Sequence, residues 1–77
     1  MIKVGVIGCG AIGRDHIRRL RDLVPGAVVT ACSDYFRKSA ELAAKQYGIP
    51  HIYDTGEELI GSGEVEAVLI ASSDASH

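Results

Sequence analysis

Residues 4–13, Val4-Gly5-Val6-Ile7-Gly8-Cys9-Gly10-Ala11-Ile12-Gly13, restrict the possible folds of this chain more than any other stretch. An apolar, largely β-branched run leads straight into G-x-G-x-x-G, and an amphipathic helical pattern follows. Gly8 lets the chain turn sharply out of a strand, because it has no Cβ. Gly10 leaves room for a group to approach the backbone, and Gly13 lets the new helix lie close against the strand. The helix start offers unpaired N–H groups and a partial positive charge, which suits an anion such as a pyrophosphate. Ala11 and Ile12 contribute through their backbone N–H groups, so their side chains matter less. The bare six-residue pattern also describes a glycine-rich β-to-α turn with no ligand, and its context decides between the two.

Part of that context is an acid. Asp34 follows Gly13 by 21 residues and closes the run Ala27-Val28-Val29-Thr30-Ala31-Cys32-Ser33, which reads as a second strand. A carboxylate there can accept hydrogen bonds from adenosine ribose hydroxyls and repels a 2′-phosphate, so NAD is expected over NADP. The alternative is a solvated loop aspartate or a helix cap. Arg37 complicates the choice, since an arginine near this point could neutralise a 2′-phosphate. Three residues beyond Asp34, it reads as a surface or adenine-flanking residue.

The rest of the chain alternates between strand and helix. Residues 2–7 form an apolar first strand that suits burial on both faces. A helix over 11–24 carries Ile17, Leu20 and Val24 as its buried stripe, and Pro25-Gly26 ends it. Arg14, Asp15, Arg18, Arg19, Arg21 and Asp22 fall largely on its other faces. No aromatics interleave with these arginines, so a solvated face is expected rather than an RNA surface. A second helix over 37–47 buries Ala40, Ala43, Ala44 and Tyr47, with Gly48 as a left-handed cap and Pro50 preventing continuation. His51-Ile52-Tyr53 reads as a third strand. Thr55-Gly56-Glu57-Glu58 matches a capping box and starts a short helix that Gly61-Ser62-Gly63 ends. Residues 65–71 form a fourth strand, apolar and expected to be central. The order β-α-β-α-β-α-β implies an α/β fold with a parallel sheet and right-handed crossovers. The expected strand order is 3-2-1-4, with a ligand crevice at the carboxyl ends between strands 1 and 4. The glycine turn, Asp34 and residues 72–77 all belong to that edge.

Bulk properties exclude several classes. Seventy-seven residues make one small domain, and a net charge of −2 offers no general attraction to nucleic acid or anionic membrane. No apolar run approaches the ~18 residues of a membrane span. The first strand starts almost at Met1, so no signal peptide is expected and the default compartment is the cytoplasm. Cys9 and Cys32 form no C-x-x-C and no metal-ligand cluster. Cys9 reads as filler in the variable position of the turn, and Cys32 as a small core residue. A disulfide between them is not expected in a reducing compartment. His16 reads as structural, packed near the glycine turn, and His51 as surface-exposed. No Lys, Tyr or His has a general-base context, so no catalytic residue is assigned.

The segment Gly5-Val6-Ile7-Gly8-Cys9-Gly10-Ala11-Ile12-Gly13-Arg14-Asp15-His16 resembles the opening of the glucose–fructose oxidoreductase/inositol dehydrogenase/rhizopine-catabolism (Gfo/Idh/MocA) family, and looks most like its inositol dehydrogenase branch. Val68-Leu69-Ile70-Ala71-Ser72-Ser73-Asp74-Ala75-Ser76-His77 sits where that family has an apolar strand followed by T-P-N-x-x-H. Ser72 and His77 fit the pattern, whereas Ser73 and Asp74 replace the usual proline and asparagine. The resemblance implies cofactor contacts for Ser72 and His77, beside the cofactor's ribose and nicotinamide portion. It implies a Rossmann-type domain of which residues 1–77 are the N-terminal part, the remainder and a substrate domain lying outside the chain. Relatives oxidise a polyol or sugar hydroxyl, using a lysine in a later E-K-P motif and a histidine and aspartate in that second domain. They also imply a homo-oligomer. By itself the chain would be catalytically inert, and its fourth strand would present an apolar edge prone to self-association. The alternative class is a non-catalytic nucleotide-sensing module.

Overall fold

The computed structural model describes residues 1–71. Strands β1 (Ile2–Ile7), β2 (Ala27–Ser33), β3 (His51–Tyr53) and β4 (Ala67–Ile70) alternate with helices α1 (Ala11–Leu23), α2 (Arg37–Tyr47) and α3 (Gly56–Gly61). The strands form one parallel sheet in the order β3-β2-β1-β4, as the alternation predicts.

Side chains alternate across β1, and each face receives a different helix layer. Val4 and Val6 join Ile17 of α1, Cys32 of β2, and Ala40, Ala43 and Ala44 of α2 in the main core. The three alanines let α2 lie close to the sheet. Leu59 of α3, fully buried, packs over Gly5 of β1. A Cβ on Gly5 would stand 2.5 Å from Leu59 Cδ2 and 2.8 Å from Val65 Cγ1. The absence of a side chain at Gly5 is therefore what admits α3.

Helix ends follow local chemistry, with one departure. Gly48 caps α2 in the left-handed region (φ +69°), and Thr55 Oγ1 accepts the Glu58 N–H at 3.0 Å at the start of α3. Val24, expected in the buried stripe of α1, is instead 44% exposed. It follows the helix in an extended conformation (φ −117°, ψ 92°). Pro25 disfavours the α region for the residue before it, so the stripe stops at Leu20. On the outer face Asp15 pairs with Arg18 (2.8 Å) and Arg19 (3.1 Å), a solvated arrangement as expected.

The fourth strand is shorter than its apolar run. Glu66 N–H donates to Lys3 O at 2.7 Å, but the Lys3 N–H goes to the Glu66 carboxylate at 2.9 Å. That side-chain bond replaces a ladder bond, and regular pairing begins at Ala67. Among the described residues β4 has only β1 as neighbour and is the apolar edge that the order 3-2-1-4 gives these residues by themselves; Ile70 is 69% exposed. Between β1 and β2 the register skips Thr30, whose hydroxyl donates to Glu64 O at 2.8 Å and ties this irregularity to the approach to β4.

Gly5→Ala is expected to cost about 1–3 kcal/mol, because Leu59 and Val65 must both move. Gly61→Ala, where a Cβ meets nothing within 4 Å, is the control and is expected to be neutral or stabilising. Urea unfolding followed by circular dichroism measures both.

Candidate functional site

The glycine turn sits at the carboxyl end of β1. Gly8 adopts φ +102°, and its N–H donates to Ser33 O at 2.8 Å, which keeps the turn tied to β2. A Cβ on Gly13 would lie 1.7 Å from the Gly8 carbonyl oxygen, so α1 rests directly on the backbone it has just left. Ala71 flanks the same place from the end of β4, its N–H donating to Ile7 O at 2.8 Å. A Cβ on Gly10, by contrast, would meet nothing within 4 Å. Gly10 is the N-cap of α1 and provides no side-chain cap. Among the described residues no acceptor pairs with the N–H groups of Ala11, Ile12 and Gly13. Open backbone and uncommitted donors are what a diphosphate requires, so the residues present fit one.

Asp34 lies beside this turn, and its contacts exceed the sequence expectation. Cys9 N–H donates to Asp34 Oδ2 at 2.5 Å, and Phe36 N–H donates to Oδ1 at 2.8 Å. Cys9 is thus no filler. The residue is 1% exposed, and its thiol donates to Ser33 O at 3.3 Å. Cys32 is a buried core residue as expected, its thiol 3.6 Å from Ala40 O, and both cysteines are free. Contact with the Cys32 thiol, burial and the Asp34 charge all push the Cys9 thiol far above its ordinary range, so it is neutral.

A cavity of about 250 Å3 opens beside Asp34, lined also by Ile7, Ser33, Tyr35, Asp54, Thr55 and Gly56. Tyr35 and Phe36 stand next to it edge to face, 5.5 Å between ring centroids, and Tyr35 is 94% exposed. Sequence reasoning passed over these aromatics, although two exposed rings directly after the acid were a usable signal. It also missed Asp54, which pairs with Arg37; the Arg37 Nε contacts Glu41 Oε2 at 3.2 Å. Asp54 and Glu41 together raise the Arg37 pKa further. Arg37 is a surface residue, and its guanidinium is engaged by both acids.

The structure brings together Gly8, Gly10, Ala11, Ile12, Gly13 and Asp34. Ser72 and His77 lie outside the described residues. His16 is half-buried on α1, and His51, expected at the surface, is half-exposed with its Nε2 3.3 Å from Glu64 Oε1. Among the described residues no three His, Cys, Asp or Glu side chains are placed to hold a metal ion, and no helix is long and apolar enough to cross a membrane.

A parallel sheet with a glycine turn after its first strand and an acid after its second defines a dinucleotide-binding α/β module. The profile of the oxidoreductase family with an NAD-binding Rossmann fold (Gfo/Idh/MocA) matches residues 2–77, and the chain belongs to that family. It is 50% identical over 78 residues to inositol 2-dehydrogenase of Agrobacterium fabrum, covering 99% of this chain and 23% of that protein. Among solved structures, myo-inositol dehydrogenase from Lactobacillus casei in complex with NAD(H) and myo-inositol superposes with a TM-score of 0.90. That match has 36% identity and covers 100% of this chain and 23% of the other. An oxidoreductase from Agrobacterium radiobacter in complex with NAD+, L-tartaric acid and magnesium gives a TM-score of 0.87 at 32% identity, over 99% of this chain and 22% of that one. The chain therefore spans about 23% of the length of these relatives.

Gly13→Ala is expected to lose about 3 kcal/mol or more of stability, since its Cβ would meet backbone rather than a movable side chain. Gly10→Ala, facing open space, is expected to stay within about 1 kcal/mol of the parent chain. Thermal melts of the two variants side by side provide the comparison.

Proposed function

We propose that residues 8–13 and Asp34 hold the adenosine diphosphate half of NAD. The observation that carries this reading is the open backbone at Gly10, set between the uncommitted N–H groups of α1 and the Asp34 carboxylate. Gly8 makes the turn, and Gly10 gives the pyrophosphate its approach. Ala11, Ile12 and Gly13 donate backbone N–H groups to it. Asp34 spends one lone pair of each oxygen on Cys9 and Phe36, and a carboxylate has lone pairs left to accept from ribose hydroxyls. Tyr35 offers an aromatic face beside that position. Ser72 and His77 complete the site toward the nicotinamide, a role supported by the family pattern that they match.

In the same reading, residues 1–77 are the N-terminal part of the NAD-binding domain of a dehydrogenase that acts on a polyol or sugar hydroxyl. Similarity to inositol dehydrogenases supports this substrate class. Bound NAD accepts a hydride in such an oxidation. The residues of this chain bind and orient the cofactor, and the groups that act on the hydroxyl are those the family resemblance implies, a lysine in a later E-K-P motif and a histidine and aspartate of a second domain. A cytoplasmic homo-oligomer, which the family resemblance implies, belongs to the same reading.

Calorimetric titration of NAD into the protein tests the site. Saturable binding is expected, weakened at least tenfold by Asp34→Ser and abolished by Gly10→Val, which fills the diphosphate approach. Absence of NAD binding, or full affinity in both variants, would overturn the assignment.

A further inference from the structure

We infer that Asp54 is a positioning residue for cofactor discrimination, holding the Arg37 guanidinium away from the 2′ position of the adenosine ribose. This role builds on the reading of Asp34 as the ribose acceptor.

The chain poses a conflict at this edge. Asp34 favours a free 2′-hydroxyl, yet a cation that could bind a 2′-phosphate lies only three residues further on. The structure resolves the conflict by occupying the cation. Arg37 Nε meets Glu41, one helical turn along α2, at 3.2 Å, and Arg37 Nη1 meets Asp54 from the segment between β3 and α3. The Glu41 contact is an ordinary i,i+4 helix pair. Asp54 is different, because it is 17 residues away and belongs to another element. Asp54 lines the cavity that Asp34 also lines, whereas Arg37 does not. The acid thus stands between the cavity and the cation.

A guanidinium binds phosphate through its planar fork of donors, and here two sides of that fork are already committed to carboxylates. A 2′-phosphate entering the cavity would face two acids and an arginine whose donors must first be released. Exposed ion pairs are individually weak, commonly ~0.2–1 kcal/mol, so this hold can be broken by a single substitution. Removing Asp34 alone leaves Arg37 held. Removing Asp34 and Asp54 together frees its Nη1 side, leaving only the helix pair with Glu41.

ADP-ribose and 2′-phospho-ADP-ribose are the probes, titrated calorimetrically into the parent chain, Asp34→Ser, Asp54→Asn, the double variant, and the double variant carrying Arg37→Met. Asp34→Ser is expected to lose ADP-ribose affinity while gaining at most about threefold for the phosphorylated probe. The double variant is expected to gain at least tenfold more for that probe, and Arg37→Met to cancel the gain. Equal capture of the phosphorylated probe by Asp34→Ser and the double variant would overturn the role of Asp54. So would a gain that survives Arg37→Met, since it would report only the lost negative charge. If the parent chain binds no ADP-ribose, the underlying site assignment fails instead. Asp34→Asn, which keeps an acceptor oxygen for Cys9, replaces the serine variant if circular dichroism shows that the latter is unfolded.

Discussion

The Asp34 carboxylate accepts N–H groups from two different segments, Cys9 in the glycine turn and Phe36 ahead of α2. Hydrogen bonds to an ionised acceptor are shorter and stronger than neutral ones, and the one to Cys9 fixes the turn against the end of β2. Gly13 fixes its other side, because α1 can reach the Gly8 carbonyl only where no Cβ intervenes. Between these two restraints Gly10 is left open. The cradle is therefore built from backbone, and Ile12 can be apolar and 59% exposed without harming it.

The parts of the fold that were readable from the sequence are those set by neighbours along the chain. Helix α2 and strand β3 have the expected bounds because Gly48 and Pro50 stop one and admit the other. Thr55 caps α3 through a residue three positions away. Asp34 was identified by a fixed spacing that reflects the length of one βαβ crossover. The features that escaped depend on contacts with no periodic signature. Nothing local announces that Gly5 must be bare for Leu59, that Glu66 displaces a ladder bond, or that Asp54 meets Arg37. Val24 was misassigned for the opposite reason. The 3.6-residue period included it, while the following proline, a strictly local restraint, removed it from the helix.

The two faces of the sheet divide the work. The α1 and α2 face carries the main core, where Ala40, Ala43 and Ala44 of α2 pack with Val4, Val6 and Ile17. The segment that leads into α3 contributes one of the two acids and part of the cavity wall, through Asp54, Thr55 and Gly56. Positive partial charge at the start of α1 and negative charge around Asp34 and Asp54 thereby sit at neighbouring points of one edge. A ligand that is anionic at its centre and rich in hydroxyls at one end matches that polarity.

Cys9 carries a consequence beyond geometry. Its sulfur is buried and neutral, and its own N–H is the one that Asp34 holds. Oxidants and electrophiles attack exposed thiolates, so damage at Cys9 requires the turn to loosen first. A dinucleotide resting on the turn would oppose that loosening. An occupied cradle is then also a chemically shielded one.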